Sequence, residues 1–222
     1  MGMESDPMQT PLRSEYACSV QVMSAHNPYK KPDHFTRAAK KAGFPARSVF
    51  KLEEIDRRTR LLRTGMHVLD LGAAPGSWSL YAAGKLGPKG RLLAVDLDPV
   101  TVALPPHATF VQGDALALDN AALSTFAPYD VVLSDMAPRT TGNRLGDQTR
   151  SYELFMRALA VAATLLAPGG SFVGKIFMGE DLPAARAEVR KLFEKERLIR
   201  PEGTRTVSYE VFVVAEGRRG TA

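Results

Sequence analysis

The sequence predicts an α/β fold in which a mainly parallel sheet carries helices on both faces. Between residues 66 and 196, short apolar segments alternate with segments of helical periodicity, and this alternation is typical of parallel strands joined by helices. The last two apolar segments, near 197–200 and 209–215, are joined by a connection that is too short for a crossover helix. We therefore expect these two strands to pair antiparallel.

The predicted elements follow one another along the chain with turn residues between them. Two short helices, 34–42 and 48–60, should precede the sheet, because Gly43 and Pro45 interrupt the helical pattern and Ser48 can cap the second helix. In chain order, the elements that follow are strand 66–71, helix 77–86, strand 91–96, strand 108–112, strand 130–135, helix 149–166, strand 171–177 and helix 182–196.

Size and composition fit one domain with a modest extension, and several classes of protein are excluded. The 222 residues are 45% hydrophobic and 24% charged, which suits a sizeable core. Residues 1–27 lack periodicity, so we interpret them as a mobile N-terminal extension and 28–222 as a single domain.

Several kinds of site are excluded by residue counts. Cys18 is the only cysteine, so the chain cannot form an intramolecular disulfide. The four histidines lie far apart in the sequence, so we expect no metal site. The longest apolar stretch, 158–167, is too short to cross a bilayer. We expect a cytoplasmic monomer without membrane attachment.

A basic segment, residues 28–63, precedes the sheet. Positions 30–63 hold eleven Lys or Arg and only four acids, with Tyr29, Phe35, Phe44 and Phe50 interleaved. The formal net charge of the whole chain is +5. Cations interleaved with aromatic residues favour contact with the phosphates of a nucleic acid. The alternative is an ordinary solvated charged face.

Residues 68–79 read Val-Leu-Asp-Leu-Gly-Ala-Ala-Pro-Gly-Ser-Trp-Ser, an apolar strand that runs into a turn of small residues. Such a turn lets the backbone approach a ligand closely, and the helix after it points free N–H groups back at that ligand. The spacing matches neither a dinucleotide-binding nor a triphosphate-binding loop. The turn residues Gly72, Ala74, Pro75 and Gly76 are therefore candidate cofactor contacts. The alternative is a tight connection that binds nothing.

Four aspartates, Asp70, Asp96, Asp114 and Asp135, stand at or near the carboxyl ends of predicted parallel strands, which is the edge where open α/β sheets bind ligands. Asp96 lies twenty positions after Gly76 in the sequence, and this spacing suits a carboxylate that accepts hydrogen bonds from two ribose hydroxyls. Several carboxylates would repel a phosphate but attract a sulfonium. This pattern favours S-adenosylmethionine as the cofactor. The alternative is that each aspartate only caps a helix or a turn.

Three motifs together resemble the FtsJ/RrmJ (RlmE) family of RNA ribose 2′-O-methyltransferases: the strand and turn at 68–79, Ser-Asp-Met-Ala-Pro at 134–138, and Ala-Pro-Gly-Gly-Ser-Phe-Val-Gly-Lys at 167–175. The resemblance implies a Rossmann-like methyltransferase sheet of seven strands, with S-adenosylmethionine as methyl donor. By motif position it implies that the cofactor is contacted by Gly76, Trp78, Asp96, Asp114 and Asp135. Ser77 departs from the family, which usually has a second glycine there.

A lysine on an apolar strand, Lys175, is the candidate catalytic base. A buried ammonium is unfavourable unless it is paired, and Asp135 and Glu210 are the nearby acids on neighbouring predicted strands. Without the family resemblance, Lys175 could equally be a lysine whose side chain extends from a strand end to solvent, and Lys51 could be an ordinary surface lysine. The resemblance implies a catalytic tetrad of Lys51, Asp135, Lys175 and Glu210. We expect Lys175 to accept the proton of the ribose hydroxyl, held by the two acids, while Lys51 steers the hydroxyl.

Further residues are candidates for contact with RNA. Arg139, Arg144 and Arg150 flank a Thr-Thr-Gly-Asn stretch, which we expect to order over the substrate. Tyr209 precedes Glu210 at a position where the known bacterial members are richer in arginine, and it can stack on a base.

The leading functional prediction is methylation of a uridine ribose in large-subunit (23S) ribosomal RNA, free or in the assembled particle. The second functional prediction is a methyltransferase that acts on a ribose of tRNA. A non-catalytic RNA-binding or ribosome-assembly protein is a third, which the complete tetrad disfavours. A small-molecule methyltransferase is disfavoured by the basic segment and by the absence of an added lid domain.

Overall fold

The computed structural model describes residues 33–115, 117, 120–205 and 208–220. The expected N-terminal extension, residues 1–27, lies outside these residues, as do Tyr29 and Lys30 of the basic segment. The described chain contains a sheet of seven strands in the order β3-β2-β1-β4-β5-β7-β6. The strands are β1 (His67–Leu71), β2 (Arg91–Asp96), β3 (Ala108–Gln112), β4 (Tyr129–Ser134), β5 (Leu166–Phe177), β6 (Phe193–Ile199) and β7 (Glu210–Arg218).

The pairing of the strands confirms the predicted fold class. Strands β1 to β5 pair parallel with one another, whereas β7 lies antiparallel between β5 and β6. The chain leaves β1 towards β2 and β3 on one side and returns to β4 on the other side. The carboxyl ends of β1 and β4 therefore flank a topological switch point, where sheets of this kind bind ligands.

Helices cover both faces of the sheet. They are α1 (His34–Lys41), α2 (Val49–Thr59), α3 (Ser77–Leu86), α4 (Asn120–Leu123), α5 (Arg144–Leu165) and α6 (Leu182–Leu192). On one face, α2 and α3 contribute Leu52 and Ala82 to a buried cluster with Val68 of β1. On the other, α5 contributes Phe155 to a second cluster with Leu69. Successive strand residues point to opposite faces, so β1 is apolar on both and packs helices on both.

Helix α5 begins at Arg144, five residues earlier than the predicted start at 149. The prediction was wrong in leaving residues 144–148 outside the helix, whereas the Thr-Thr-Gly-Asn stretch, residues 140–143, does precede it. Asn143 is the N-cap and accepts a hydrogen bond from the N–H of Gly146 at 3.2 Å. In the same turn, Asp147 accepts hydrogen bonds from the N–H and hydroxyl of Thr141.

Helix α6 ends at Leu192 rather than at 196, and residues Phe193–Ile199 form strand β6. The sequence continues the helical pattern across this boundary, but pairing with β7 takes Phe193 to Glu196 into the sheet. Strand β5 likewise begins at Leu166, before the predicted start at 171. The short helix α4 was not predicted. Ser48 occupies the N-cap position of α2 as expected, although its side chain makes no capping hydrogen bond.

Candidate active site

The turn between β1 and α3 is packed so closely that two of its positions require glycine. Gly72 has a φ of +81°, and a Cβ there would lie 2.8 Å from the backbone nitrogen of Met136. Gly76 has a φ of +109°, and its Cβ would lie 2.7 Å from Val102. The positive φ at both positions disfavours any residue with a Cβ, and the short distances leave no room for one. The turn is thus held between the loop after β4 and the loop after β2.

Asp96, the last residue of β2, fixes the middle of this turn. Its Oδ2 accepts a hydrogen bond from the N–H of Ala74 at 2.8 Å, and its Oδ1 accepts one from the N–H of Asp98 at 2.9 Å. A carboxylate oxygen has two lone pairs, so each oxygen can accept one further hydrogen bond. Asp96 can therefore organise the turn and bind a diol at the same time.

A cavity of about 340 Å³ opens beside the turn, at the carboxyl ends of the parallel strands. Five of the predicted cofactor contacts line it, namely Gly72, Ala74, Asp96, Asp114 and Asp135. The remaining wall includes Leu97, Met136 and Leu154. With Asp98, which also lines it, the cavity combines apolar contacts with four aspartates.

Pro75, Gly76 and Trp78 are not among the residues that line this cavity. The Trp78 side chain is buried, packs on Phe212 with ring centroids 5.6 Å apart, and donates its indole N–H to the carbonyl of Ser48 at 2.9 Å. Its backbone lies in the first turn of α3, where N–H groups have no partner within the helix. A cofactor contact by Trp78 would therefore come from its backbone.

Beneath the turn, Asp70 is completely buried on β1. Its Oδ2 accepts a hydrogen bond from the hydroxyl of Ser79 at 2.6 Å, and its Oδ1 has no hydrogen-bond partner. Burial raises the pKa of Asp70 to about 7, the Ser79 hydrogen bond opposes this shift, and the charges of Asp135 and Asp96 add to it. Negative charge is thus crowded at this edge of the sheet. The residues present fit a cationic nucleoside such as S-adenosylmethionine.

The four residues of the predicted tetrad come together as two ion pairs. Lys175 Nζ lies 2.9 Å from Asp135 Oδ1 and also donates a hydrogen bond to the Asp135 carbonyl. Lys51 Nζ pairs with Glu210 Oε1. All four side chains are largely buried, with exposures of 7% for Lys175, 16% for Asp135, 13% for Lys51 and 12% for Glu210.

Strand register explains why the two ion pairs are neighbours. Lys175 lies opposite Phe212, and Phe177 lies opposite Glu210. Side chains alternate along a strand, so Lys175 and Glu210 share one face of the sheet. Helix α2 packs on that face and brings Lys51, whose Nζ lies 5.9 Å from the centre of the Phe212 ring. Phe212 therefore lies between the two pairs.

Ser77, the residue that departs from the family pattern, has a structural role of its own. It is buried at the start of α3, where its hydroxyl accepts a hydrogen bond from the N–H of Ala46 at 2.8 Å and donates one to the carbonyl of Ala46 at 3.1 Å. The turn is therefore kept with a serine at this position. The hydroxyl also attaches the α1–α2 connection to α3, a contact between residues 31 positions apart that the sequence gives no signal for.

Arg47 is a second residue that the sequence did not single out. Its guanidinium pairs with Asp33, donates a hydrogen bond to the carbonyl of Gly203 and lies 5.1 Å from the ring centre of Phe35. Burial and the charge of Arg205 lower the pKa of Arg47, and the charge of Glu210 opposes this shift. Arg47 joins the basic segment to the β6–β7 connection, next to the Lys51–Glu210 pair.

The loop after Asp135 is tied to α5. Buried Asp147 accepts hydrogen bonds from the N–H of Thr141 at 3.0 and 3.2 Å and pairs with Arg150. The Thr141 N–H is the main cause of the lowered pKa of Asp147. Arg144, at the start of α5, lies 5.3 Å from the ring centre of Tyr209. The described loop is thus ordered by hydrogen bonds to its own helix.

Two features are absent from the described residues. Among them, no helix is both long enough and apolar enough to span a membrane. In the same part of the chain, no group of three or more His, Cys, Asp or Glu is arranged to hold a metal ion.

The mainly parallel sheet with an antiparallel last strand, and an aspartate-lined cavity at its switch point, define a Rossmann-like methyltransferase that uses S-adenosylmethionine. Residues 44–218 match the FtsJ-like methyltransferase family, and the chain belongs to that family.

Relatives with this sequence pattern cover most of the chain. The chain is 68% identical over 193 residues to the Ribosomal RNA large subunit methyltransferase E of Sorangium cellulosum, covering 87% of this chain and 91% of that protein. It is 52% identical to the protein of the same name from Nitratidesulfovibrio vulgaris, covering 85% and 95%. A Plasmodium falciparum structure described as a ribosomal RNA methyltransferase has a TM-score of 0.71 at 21% identity, covering 80% of this chain and all of that one. At this identity the structural likeness supports the fold alone.

Proposed function

We propose that this protein transfers a methyl group from S-adenosylmethionine to the ribose 2′-hydroxyl of a uridine in large-subunit ribosomal RNA. The observation that carries the proposal is the pair of buried ion pairs, Lys175–Asp135 and Lys51–Glu210, beside a cavity that Asp135 also lines. The substrate follows the relatives, which are named for the RNA of the large ribosomal subunit. The proposal includes action as a monomer in the cytoplasm.

The cofactor would be held by the glycine turn and the cavity aspartates. Asp96 would accept hydrogen bonds from the ribose hydroxyls, and Asp114 would reach the adenine edge. Gly72 and Ala74 would let the backbone contact the methionine part, with Gly76 and the backbone of Trp78 closing the turn. When bound, S-adenosylmethionine supplies an electrophilic methyl group on a positively charged sulfur.

Lys175 would act as the proton acceptor. A ribose hydroxyl is a weak nucleophile until a base takes its proton. Lysine can do so only as a neutral amine, a form that burial and neighbouring positive charge favour. Asp135 holds Nζ with both its side chain and its carbonyl, so the amine is fixed beside the cavity. The 2′-oxygen would form a bond to the methyl carbon while the bond from that carbon to sulfur breaks, S-adenosylhomocysteine leaves, and the hydroxyl proton passes to Nζ of Lys175.

Lys51 and Glu210 would position the ribose. Their ion pair is 13% and 12% exposed, so solvent screens it little. Glu210 can orient a hydroxyl by accepting its hydrogen bond, and Lys51 can stabilise negative charge that develops on the oxygen. Correct placement of the reacting groups accounts for much of the rate in such transfers.

The test is to incubate the protein with radiolabelled S-adenosylmethionine and RNA from a strain that lacks it. Total RNA, free ribosomal RNA and intact large subunits are assayed separately, and the labelled ribose is mapped. We expect label on one uridine ribose of the large-subunit RNA. Label on tRNA would identify the second candidate substrate. Absence of label from every RNA, with the cofactor bound, would contradict the enzymatic proposal and favour an assembly role.

A further inference from the structure

Tyr209 stands at the edge of the proposed reaction site. It directly precedes Glu210, and adjacent Cα atoms are about 3.8 Å apart. Its carbonyl accepts a hydrogen bond from the N–H of Met178 at 2.8 Å, which fixes its backbone to the end of β5. Lys175 lies on that same strand. The backbone of Tyr209 therefore lies beside Glu210 and beside the strand that carries Lys175.

The Tyr209 ring has two described contacts, one with a buried aromatic ring and one with an exposed cation. Phe177 meets Tyr209 edge to face, with ring centroids 4.8 Å apart and planes at 69°. The Phe177 side chain is buried, so this contact holds the ring in place. Over the face of the ring lies the guanidinium of Arg144, 5.3 Å from the centroid. Arg144 is exposed at the first position of α5, so its side chain can leave the ring at little cost.

The Tyr209 ring is held in place and has an exposed cation over it. These are features of a site on which a nucleic-acid base can stack. Stacking of a nucleic-acid base on an aromatic side chain is stronger than an exposed cation–π contact. A base can therefore displace the guanidinium of Arg144 from Tyr209. Once displaced, Arg144 is free to bind a phosphate, for which a guanidinium is well suited.

We propose that Tyr209 is the stacking platform for the base of the nucleotide whose ribose is methylated, and that Arg144 exchanges the ring for a phosphate of the same RNA. This inference rests on the proposed function. The base of a nucleotide is joined to the carbon next to the reacting 2′-position. A ribose placed between Lys175 and Glu210 therefore has its base within reach of the neighbouring residue, Tyr209.

The first test compares Tyr209→Leu with Tyr209→Phe, using large subunits that lack the modification as substrate. We expect Tyr209→Leu to lower kcat/KM for the subunits at least tenfold, while the KM for S-adenosylmethionine and the thermal midpoint stay near wild type. Tyr209→Phe keeps the π-face and should stay within twofold of wild type. A Tyr209→Leu enzyme with unchanged kcat/KM, or a Tyr209→Phe enzyme equally impaired, would overturn the inference.

The second test does not depend on turnover. A short RNA hairpin carries a fluorescent uridine analogue at the mapped nucleotide, and its fluorescence is followed with S-adenosylhomocysteine present. Stacking should quench the fluorescence with the wild-type protein and with Lys175→Met, but not with Tyr209→Leu. Quenching by all three proteins would overturn the platform role. Absence of methylation from every RNA would contradict the proposed function, whereas methylation of the mapped ribose with quenching that does not depend on Tyr209 would contradict the platform role alone.

The role of Arg144 is tested through salt dependence. Arg144→Met should reduce the slope of log affinity against log salt by the amount that one phosphate contact contributes. The control Arg91→Met removes an equal charge at the amino end of β2, the opposite edge of the sheet. An unchanged slope in Arg144→Met, or an equal change in the control, would contradict the exchange.

Discussion

Lys175 occupies a position where a charged group needs a specific reason to exist. Its side chain is 7% exposed, and its ammonium has both an ion pair and a hydrogen bond with Asp135. Removing one partner of a buried pair leaves an unpaired charge, which is strongly unfavourable. An ion pair serving only stability could be replaced, both residues together, by apolar side chains of similar volume at little cost. Retaining it therefore fits a chemical role.

We predict that Lys175→Met lowers the single-turnover rate of methyl transfer by 10² to 10⁴, the usual contribution of a general base. The methionine keeps the length of the stem but cannot take a proton. Calorimetry should show unchanged affinity for S-adenosylmethionine, because Nζ is not needed to hold it. Lys195→Met, on the exposed side of strand β6, is the matched control. Near-normal turnover by Lys175→Met would exclude the proposed role.

Asp70 gives a prediction about pH. Burial raises its pKa from 3.8 to about 7, so the folded protein holds this proton up to a higher pH than the unfolded chain does. Stability should therefore fall as the pH rises from about 4 to about 7, by on the order of 1 kcal/mol per pH unit. Asp70→Asn, a neutral residue of the same shape, should remove this slope and be more stable than wild type at pH 8.

Urea unfolding at a series of pH values measures the effect of Asp70. Asp181→Asn changes an exposed aspartate at the N-cap of α6 and serves as the control for loss of one carboxylate. Parallel pH profiles for wild type and Asp70→Asn would show that Asp70 ionises normally in the folded protein.

At the scale of the elements, the hydroxyl of Ser77 attaches the connection between α1 and α2 to the start of α3. Ser77→Ala would leave the N–H and carbonyl of Ala46 without these hydrogen bonds. Unsatisfied, partly buried backbone groups cost about 1–3 kcal/mol. We predict a loss of stability in that range and faster amide exchange in residues 44–50, which hydrogen-exchange mass spectrometry can measure.

The matched control for Ser77 is Thr125→Ala, which removes an exposed hydroxyl that bonds a backbone carbonyl. Its effect should stay within about 0.5 kcal/mol. Equal destabilisation by the two variants, or unchanged exchange at 44–50 in Ser77→Ala, would show that the contact with Ala46 does not hold the segment.

Elements whose signal is local were predictable, and those fixed by tertiary contacts were not. Strands β2 and β3 match their predicted bounds, because apolar runs between turn residues carry their own signal. The start of α5 depends on Thr141 bonding to Asp147, and the end of α6 depends on pairing of β6 with β7. For the site, the glycine turn and aspartates could be predicted from residue chemistry. The pairing of Lys51 with Glu210 joins residues far apart in sequence, and only the family resemblance pointed to it.

For the whole molecule, charge is divided between two regions. Aspartates line the cofactor cavity, whereas helices α1 and α2 carry the basic segment, and α2 packs on the face of the sheet that holds the tetrad. Several of its cations already have acidic partners, among them Arg47 and Arg58. Arg37, Lys40 and Lys41 are exposed on α1. These three are the better candidates for contact with phosphates.

We predict that changing Arg37, Lys40 and Lys41 together to glutamine weakens RNA binding and makes it less dependent on salt. Each lost phosphate contact should reduce the slope of log affinity against log salt by about 0.7 to 0.9. Methyl transfer at saturating RNA should be unchanged, because the tetrad is intact. Affinity is measured by fluorescence anisotropy between 50 and 200 mM salt, roughly the range over which such contacts are most visible.

The control changes Arg190, Lys191 and Lys195 to glutamine. These are exposed cations of α6 and β6, and α6 packs on the opposite face of the sheet. The control removes the same net charge, so a general effect of charge would alter both slopes equally. A smaller slope in the α1 variant alone would show that the RNA lies against α1. Equal slopes in the two variants would mean that the RNA approaches the tetrad from elsewhere, and that α1 is a solvated face.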